Sequence, residues 1–507
     1  MSVETGDALP THPSPSEPAH SGTGSGAQSL VHHCGVAGIY SRKPLNIPQQ
    51  LFFPLFALQH RGQESAGIAY RKSGRTVVYR DLGMVSSVLS RYLTETKLSH
   101  VGIGHVRYST HGGNKVENVQ PITVICNKGE IAVAHNGNIS NTRQLKTMLF
   151  DEGSIFQSSS DTELLLHLIS RSRAPSFYEA LMETLQLVQG AFSMLFLHDD
   201  SLVAVRDPFG FRPLYIGFKD EMTVVASETC ALDILKVTDF RSVQPGEVIV
   251  VDDDGLHVDF LPAAPNHRQC VFELIYFARP DSQVFDTGVH EARKRMGAAL
   301  ARADAPDGRF GDIVIPVPDS GTSAALGYAG ESGLPFDMGL TRNHYAGRSF
   351  IMPTSAEREL AVRMKLHPVR EVIRGRRVVL VDDSLVRGTT SRILVNLMKE
   401  AGAAEVHLRL SSPAIRWPCF FGIDIPTRQE LISNHLTPDE IADVVGADSV
   451  RFLSLRLLRE SLDSPAGFCY SCFTGRYAVP VPLTGEELAA ASREAPASTE
   501  QPIGEMS

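Results

Sequence analysis

One stretch constrains this chain more than any other: Arg377-Val378-Val379-Leu380-Val381-Asp382-Asp383-Ser384-Leu385-Val386-Arg387-Gly388-Thr389-Thr390-Ser391. Val378 to Val381 form an unbroken apolar run, the pattern of a strand covered on both faces in a parallel sheet. Two carboxylates follow. The chain must then turn, and Gly388 is the residue able to take unusual dihedrals there. Any of Thr389, Thr390 and Ser391 is placed to cap a helix carrying Ile393, Leu394, Leu397 and Met398. A helix N-terminus with free N–H groups and flanking hydroxyls suits a phosphate. Adjacent carboxylates suit sugar hydroxyls or a hydrated Mg²⁺. Read from its residues alone, the stretch is either a site for a phosphorylated ribose or an ordinary strand-to-helix turn.

As a string it resembles the diphosphosugar-binding signature of the phosphoribosyltransferases. Those enzymes bind phosphoribosyl pyrophosphate (PRPP) and replace its pyrophosphate with a nitrogen nucleophile. The resemblance implies PRPP contacts at Asp382, Asp383, Ser384, Arg387, Gly388, Thr389 and Thr390.

The remaining chain has to supply the nucleophile. At 507 residues it is long enough for two or three domains. A net charge of -9 leaves no basic excess for a nucleic-acid backbone. No apolar run approaches the ~18 residues of a membrane span. Seven cysteines in so long a chain are not a disulfide scaffold, and their spacing suggests a metal or cluster and a reducing cytoplasm. Residues 1–33 are rich in Ser, Pro, Gly, Thr and His, without Lys or Arg, and read as disordered. They lack the basic and apolar regions of a secretory signal.

This leader stops at Cys34, where Cys34-Gly35-Val36-Ala37-Gly38-Ile39-Tyr40 reads as a strand. Either the terminus is ragged and Cys34 is a small buried hydrophobe, or the leader is a propeptide whose removal makes Cys34 the N-terminus. In the second case the α-amine, with a pKa of about 8, can act as base for the thiol on the same residue. Further on stand Leu58-Gln59-His60-Arg61-Gly62-Gln63-Glu64, Gly104-His105-Val106-Arg107-Tyr108-Ser109 and Ala134-His135-Asn136-Gly137-Asn138. Ser160-Asp161-Thr162-Glu163 reads as a capping box before a helix. Asn136-Gly137, taken alone, could be a hairpin turn.

Together these segments resemble the class II glutamine amidotransferase domain, an N-terminal-nucleophile hydrolase, over about 34–260. Arg206-Asp207-Pro208-Phe209-Gly210-Phe211-Arg212 and Ala226-Ser227-Glu228-Thr229-Cys230 extend the match. The resemblance implies Cys34 as nucleophile and an oxyanion hole from the Asn136 amide and the Gly137 N–H. It implies glutamine binding by Arg107, Asp161 and Arg61, Arg107 on the α-carboxylate and Asp161 on the α-ammonium, with His105 supporting. Asp207 and Arg212 read as fold-stabilising.

Gln244-Pro245-Gly246-Glu247 reads as a turn before a strand Val248–Val251, and Leu261–Asn266 as a linker. Cys270-Val271-Phe272-Glu273-Leu274-Ile275-Tyr276-Phe277-Ala278-Arg279-Pro280-Asp281-Ser282 then resembles the amidophosphoribosyltransferases, which join both halves. In that family Tyr276 and Arg279 match positions that couple the two sites. Asp319-Ser320-Gly321-Thr322-Ser323 matches its pyrophosphate-side loop, with Ser320 as a metal contact beside Asp382 and Asp383. Residues 341–366 contain Arg342, Arg348, Arg358, Arg363 and Lys365, and match a lid that orders over PRPP.

Cys469-Tyr470-Ser471-Cys472 is a C-x-x-C, which alone fits a zinc half-site, a redox pair or neither. With Cys270 and Cys419 it makes four thiolates, enough for a Cys₄ zinc site or a [4Fe–4S] cluster. The family has one sort with a cluster and a propeptide and one with neither. This chain resembles the first, so a [4Fe–4S] cluster on Cys270, Cys419, Cys469 and Cys472 is expected, in a structural or oxygen-sensing role.

The expected architecture is an αββα glutaminase sandwich over 34–262 and a phosphoribosyltransferase parallel-sheet domain over 263–482. A disordered propeptide (1–33) precedes them and a flexible tail (483–507) follows. The expected ligands are glutamine, PRPP and Mg²⁺; the family also implies purine-nucleotide inhibition and a homotetramer. Glutaminase domains precede other partners in glucosamine-phosphate synthase and asparagine synthetase, but Asp382-Asp383 with Gly388-Thr389-Thr390 argues against both. A non-catalytic PRPP-sensing regulator would need a basic DNA-binding element, and the sequence shows none.

Overall fold

The structure, a computed structural model, describes residues 32–482 except 91–92, 95, 110–114, 306–307, 309–310, 344–359 and 361. The expected propeptide up to residue 31, most of the expected lid and the expected C-terminal tail lie outside the described residues.

The first half is built on two antiparallel sheets. β1 (His32–Asn46) is the fourth strand of a seven-stranded sheet and pairs with β2 (Leu98–Ser109), Cys34 opposite Arg107. β3 (Gly129–Ile139) and β4 (Gly190–His198) are neighbours inside a six-stranded sheet, with Asn136 opposite Ser193 and Asn138 opposite Ala191.

The apolar run of β1 has a simple cause. Val36 and Tyr40 point at the second sheet, meeting Ala132, Ala134 and Leu195. Ala37 and Ile39 point the other way, against Leu51 and Leu55 of the helix Ile47–Ala57. Both faces are covered, so alternation with polar residues is lost. On the far side, α1 (Thr162–Arg171) and the helix Phe177–Leu187 bury Leu164, Leu168 and Leu181 against Ile131, Val133 and Phe196. The layers are helix, sheet, sheet, helix.

In the second half α2 (Val289–Asp304) leads into four parallel strands in spatial order β5 (Ile313–Pro316), β6 (Arg377–Asp382), β7 (Glu405–Leu410) and β8 (Ser449–Phe452). Val379 and Val381 of β6 pack in the core with Met296 of α2 and with Ala325 of α3 (Thr322–Ser332). Val378 and Leu380 pack in the opposite core with Ile393, Leu394 and Leu397 of α4 (Thr389–Glu400). Burial of each such side chain contributes roughly 1.5–3 kcal/mol, an upper bound because the unfolded chain already hides some surface.

Three local expectations are corrected. The cap of α4 is Gly388, with φ 76°, and no side chain caps that helix. Thr389 and Thr390 instead fall in its first turn. At α1 there is no capping box: the Glu163 carboxylate reaches back to the N–H groups of Gln157 and Ser158, both at 2.7 Å. Asn136-Gly137 is not a hairpin turn but lies within β3. The expected lid is framed by a two-stranded ribbon, Leu340–Arg342 against Leu366–Pro368.

Candidate active site

Cys34 sits in the interior of β1 and is buried. Burial pushes its thiol up to about 12, against the Arg107 guanidinium and a hydrogen bond from the Tyr108 backbone, which lower it. Asp161 raises it further and Arg212 lowers it. Within an intact strand the Cys34 nitrogen is a peptide N–H without basicity, so the thiol keeps its proton at neutral pH. These pairings place Cys34, Arg107 and Asp161 around one point, although they come from β1, β2 and the cap of α1.

Arg107 is buried and forms no ion pair among the described residues. A buried guanidinium of this kind suits a carboxylate held through parallel hydrogen bonds. Asp161 accepts from the Ile139 N–H at 3.0 Å, which ties it to the end of β3. Crossing between the sheets, His105 Nε2 meets the His135 carbonyl at 3.1 Å. Next along β3, both polar atoms of the Asn136 amide are buried without a partner. Leaving such a group unsatisfied costs about 1–3 kcal/mol, which marks it as kept for a ligand. Gly137 has φ 152°, and a Cβ there would run into the Ala191 carbonyl oxygen. Only glycine lets β3 pass so close to β4.

Arg61 is reassigned by its surroundings. Its guanidinium is wholly buried and paired with Glu228 through Nη1, and with Glu273 through Nη1 at 2.9 Å and Nη2 at 2.7 Å. Burial works against that charge, but Glu273 and Glu228 outweigh it. The remaining Nε donates to the Cys34 carbonyl at 2.9 Å. Arg61 therefore fixes the backbone of Cys34, and its polar atoms are committed away from glutamine. Glu273 also accepts from Arg212 Nη1 at 2.9 Å, so one carboxylate of the second half neutralises two buried arginines of the first. Asp207 accepts from the N–H groups of Phe192, Phe209 and Phe211, as a turn-holding residue does. Glu228, Glu273 and Asn138 were not singled out from the sequence. Partners up to 282 positions apart leave no local pattern to read.

The second site lies at the carboxyl end of β6. Asp382 and Asp383 are buried side by side, and the Asp383 N–H donates to Asp382 Oδ1 at 2.9 Å. Burial, and then the charge of Asp383, holds the Asp382 carboxyl well above the ordinary carboxylate range. Burial also raises Asp383, but hydrogen bonds from Ser320 and Ser384 and the Arg293 charge oppose it. Ser320 Oγ donates to Asp383 Oδ2 at 2.5 Å, joining the two expected loops. Beyond them the N-terminus of α4 opens with Thr389 and Thr390. Arg387 points to Glu430 at 2.7 Å, and Arg342 pairs with Asp319. Tyr276 is half-exposed, while Arg279 pairs with Asp281 at 2.6 Å and donates its N–H to Glu228 at 3.1 Å.

Cys270, Cys419, Cys469 and Cys472, four of the six other cysteines, come together from distant parts of the chain. Cys270 stands opposite Cys469 in a short parallel pairing, Gln269–Cys270 with Phe468–Cys469. Burial raises all four, and the charges of Cys419, Cys469 and Cys270 add to that at Cys472. All are free of disulfides. Among the described residues no three His, Cys, Asp or Glu side chains converge closely enough for a single metal ion.

A glutamine-hydrolysing sandwich joined to a phosphoribosyl-binding sheet is a bifunctional amidotransferase by its architecture. A glutamine amidotransferase domain model matches residues 105–233. Amidophosphoribosyltransferase 2, chloroplastic, of Arabidopsis thaliana is 48% identical over 88% of this chain and 79% of its own length. The amidophosphoribosyltransferase of Bacillus subtilis is 44% identical, over 89% and 95%. A solved structure of glutamine PRPP amidotransferase from B. subtilis complexed with ADP and GMP superposes with a TM-score of 0.81, at 44% identity over 88% of this chain and 97% of that one. The chain belongs to the amidophosphoribosyltransferase family. It is an enzyme that hydrolyses glutamine and transfers the ammonia to C1 of PRPP, giving 5-phosphoribosylamine, pyrophosphate and glutamate, the first committed step of purine synthesis. No helix among the described residues is long and apolar enough to cross a membrane.

Proposed function

We propose that Cys34, as the N-terminal residue of a processed chain 34–507, is the glutaminase nucleophile. One observation carries this reading: a buried thiol lies opposite the buried Arg107, whose charge lowers its pKa, and Asn136 nearby holds its buried amide without a partner among the described residues. A free α-amine on Cys34 takes the thiol proton. The thiolate attacks the side-chain amide carbon of glutamine, whose carboxylate lies on Arg107 and whose ammonium lies on Asp161. Asn136 Nδ2 and the Gly137 N–H receive the developing negative oxygen. The Cys34 α-ammonium returns its proton to the amide nitrogen, so that collapse of the intermediate breaks the C–N bond, expels ammonia and leaves a γ-glutamyl thioester on Cys34, which water then hydrolyses.

Ammonia reaches the second half and attacks C1 of PRPP. Asp382 and Asp383 orient the ribose hydroxyls, and Ser384, Arg387, Gly388, Thr389 and Thr390 hold the 5-phosphate. Ser320, Asp382 and Asp383 are the residues that would hold Mg²⁺, which when bound offsets the charge of departing pyrophosphate. The two adjacent buried carboxylates, offset only in part by Arg293, fit a cation. The reaction there rests on positioning, since ammonia is already a good nucleophile.

Cys270, Cys419, Cys469 and Cys472 would hold a [4Fe–4S] cluster, which supplies a cross-link between the start and end of the 263–482 domain. The fit rests on four free thiols, Cys270 and Cys472 buried and Cys419 and Cys469 partly so, with Cys419, Cys469 and Cys270 close enough for their charges to act on Cys472. Inhibition by purine nucleotides is supported by the ADP and GMP in the B. subtilis complex. A homotetramer is proposed on family grounds. Mass spectrometry of the purified enzyme, with iron analysis under anaerobic conditions, tests both marks. An active chain still beginning at Met1 contradicts the free-amine chemistry, and an iron-free, fully active one contradicts the cluster.

A further inference from the structure

The turn Pro418–Gly422 carries Cys419, yet it lies against the glutaminase half. Asn138 Nδ2 donates to the Phe420 carbonyl at 2.8 Å, and Arg212 Nε donates to the Phe421 carbonyl at 3.1 Å. The Phe421 ring stacks on Phe211 with centroids 4.2 Å apart. A Cβ on Gly422 would come within 2.6 Å of Arg212 Nη2, so glycine lets the turn lie flat on the guanidinium. Within the turn, the Phe421 N–H points to Cys419 Sγ at 3.4 Å.

Asn138 stands two residues beyond Asn136 on β3, on the same face of the strand. It is 1% exposed, and its Oδ1 has no partner. A buried amide satisfied on one side costs about 1–3 kcal/mol, so packing alone favours an apolar residue there. The residue between them is Gly137, whose backbone has no Cβ to restrict it. Gly137 is paired opposite Phe192 in the β3–β4 ladder, so the direction of its N–H follows the placement of the segment that Asn136 and Asn138 flank.

We propose that Asn138 is a positioning residue of the glutaminase. Its hydrogen bond to the Phe420 carbonyl fixes the segment on which Asn136 and Gly137 meet the oxyanion, so the Cys419 turn sets the efficiency of glutamine hydrolysis. The inference rests on the oxyanion reading of those two residues.

The test uses the full chain with Asn138→Ala and the isosteric Asn138→Asp, which sets a carboxylate against the Phe420 carbonyl. Asn136→Ala is the reference. Loss of one oxyanion donor costs about 10²–10³ in kcat, and a displaced donor less, about tenfold. Accordingly kcat for glutamine hydrolysis falls about tenfold in Asn138→Ala and further in Asn138→Asp, while KM for glutamine stays within about twofold. Alkylation of Cys34 by iodoacetamide and the ammonia-dependent rate hold steady. Hydrogen exchange over 136–139 and 418–422 quickens together. If both Asn138 variants keep kcat while Asn136→Ala loses it, the positioning role is wrong and the oxyanion reading survives. If Asn136→Ala keeps kcat, both are wrong. A parallel fall in kcat, alkylation and ammonia-dependent rate assigns Asn138 to general stability and overturns the proposal. Where Asn138→Ala does not fold, Asn138→Asp carries the same comparison.

Discussion

Two carboxylates buried side by side at a strand end are poor for stability and good for ligand. Asp382 has its pKa raised by burial and by Asp383. Protonation therefore favours the folded state: that contribution is full below about pH 4 and is lost as pH rises through the raised folded value. Asp382→Asn removes a charge that is unfavourable at neutral pH. Calorimetry should show Tm rising by about 2–4 °C per kcal/mol gained at pH 8, with a smaller gain at pH 4, while phosphoribosylamine formation falls. A larger gain at pH 4 would refute the assignment. Gly137 gives a second residue-level expectation. Gly137→Ala meets the Ala191 carbonyl, so glutamine hydrolysis drops by about 10² or more. Ammonia-dependent synthesis should survive in the same assay.

At the scale of elements, the helical turn Glu273–Phe277 joins the halves through one side chain. Glu273 neutralises Arg61 and Arg212, and Arg61 in turn holds the Cys34 carbonyl. Removing one member of a buried charge network costs about 3–5 kcal/mol, because the partners stay buried and unpaired. Glu273→Gln should lower the denaturant midpoint accordingly and reduce glutaminase activity. An unchanged midpoint would mean the network is not load-sharing. Legibility in the sequence also divides by element. β6 and its carboxylates are visible because an apolar run, two acids and a glycine are consecutive. The α4 cap is not legible because three hydroxyls follow Gly388, whereas its positive φ makes glycine itself the cap. The motif points Arg61 at glutamine for a related reason. A motif shows that an arginine is needed, but its partners, Glu228 and Glu273, sit 167 and 212 positions away.

At the scale of the molecule, the two halves are chemically incomplete alone. The first releases ammonia, which water would dilute; the second needs that ammonia beside an activated sugar that water can also attack. The contacts across the boundary are correspondingly specific: Glu273 to two arginines, Asn138 to the Phe420 carbonyl, and Phe211 on Phe421. The sandwich and the parallel-sheet domain are expected through the family resemblance of consecutive motifs, whereas the strand order of each sheet and these cross-boundary contacts leave no local pattern in the sequence. The central claim is that one chain carries two separable reactions, ammonia release at Cys34 and ammonia capture at Asp382–Thr390. The most direct measurement is phosphoribosylamine formation by Cys34→Ala, with glutamine and with ammonium salt as alternative donors. The account predicts no product from glutamine and an undiminished rate from ammonia. Product from glutamine, or loss of both activities in a folded protein, would contradict it.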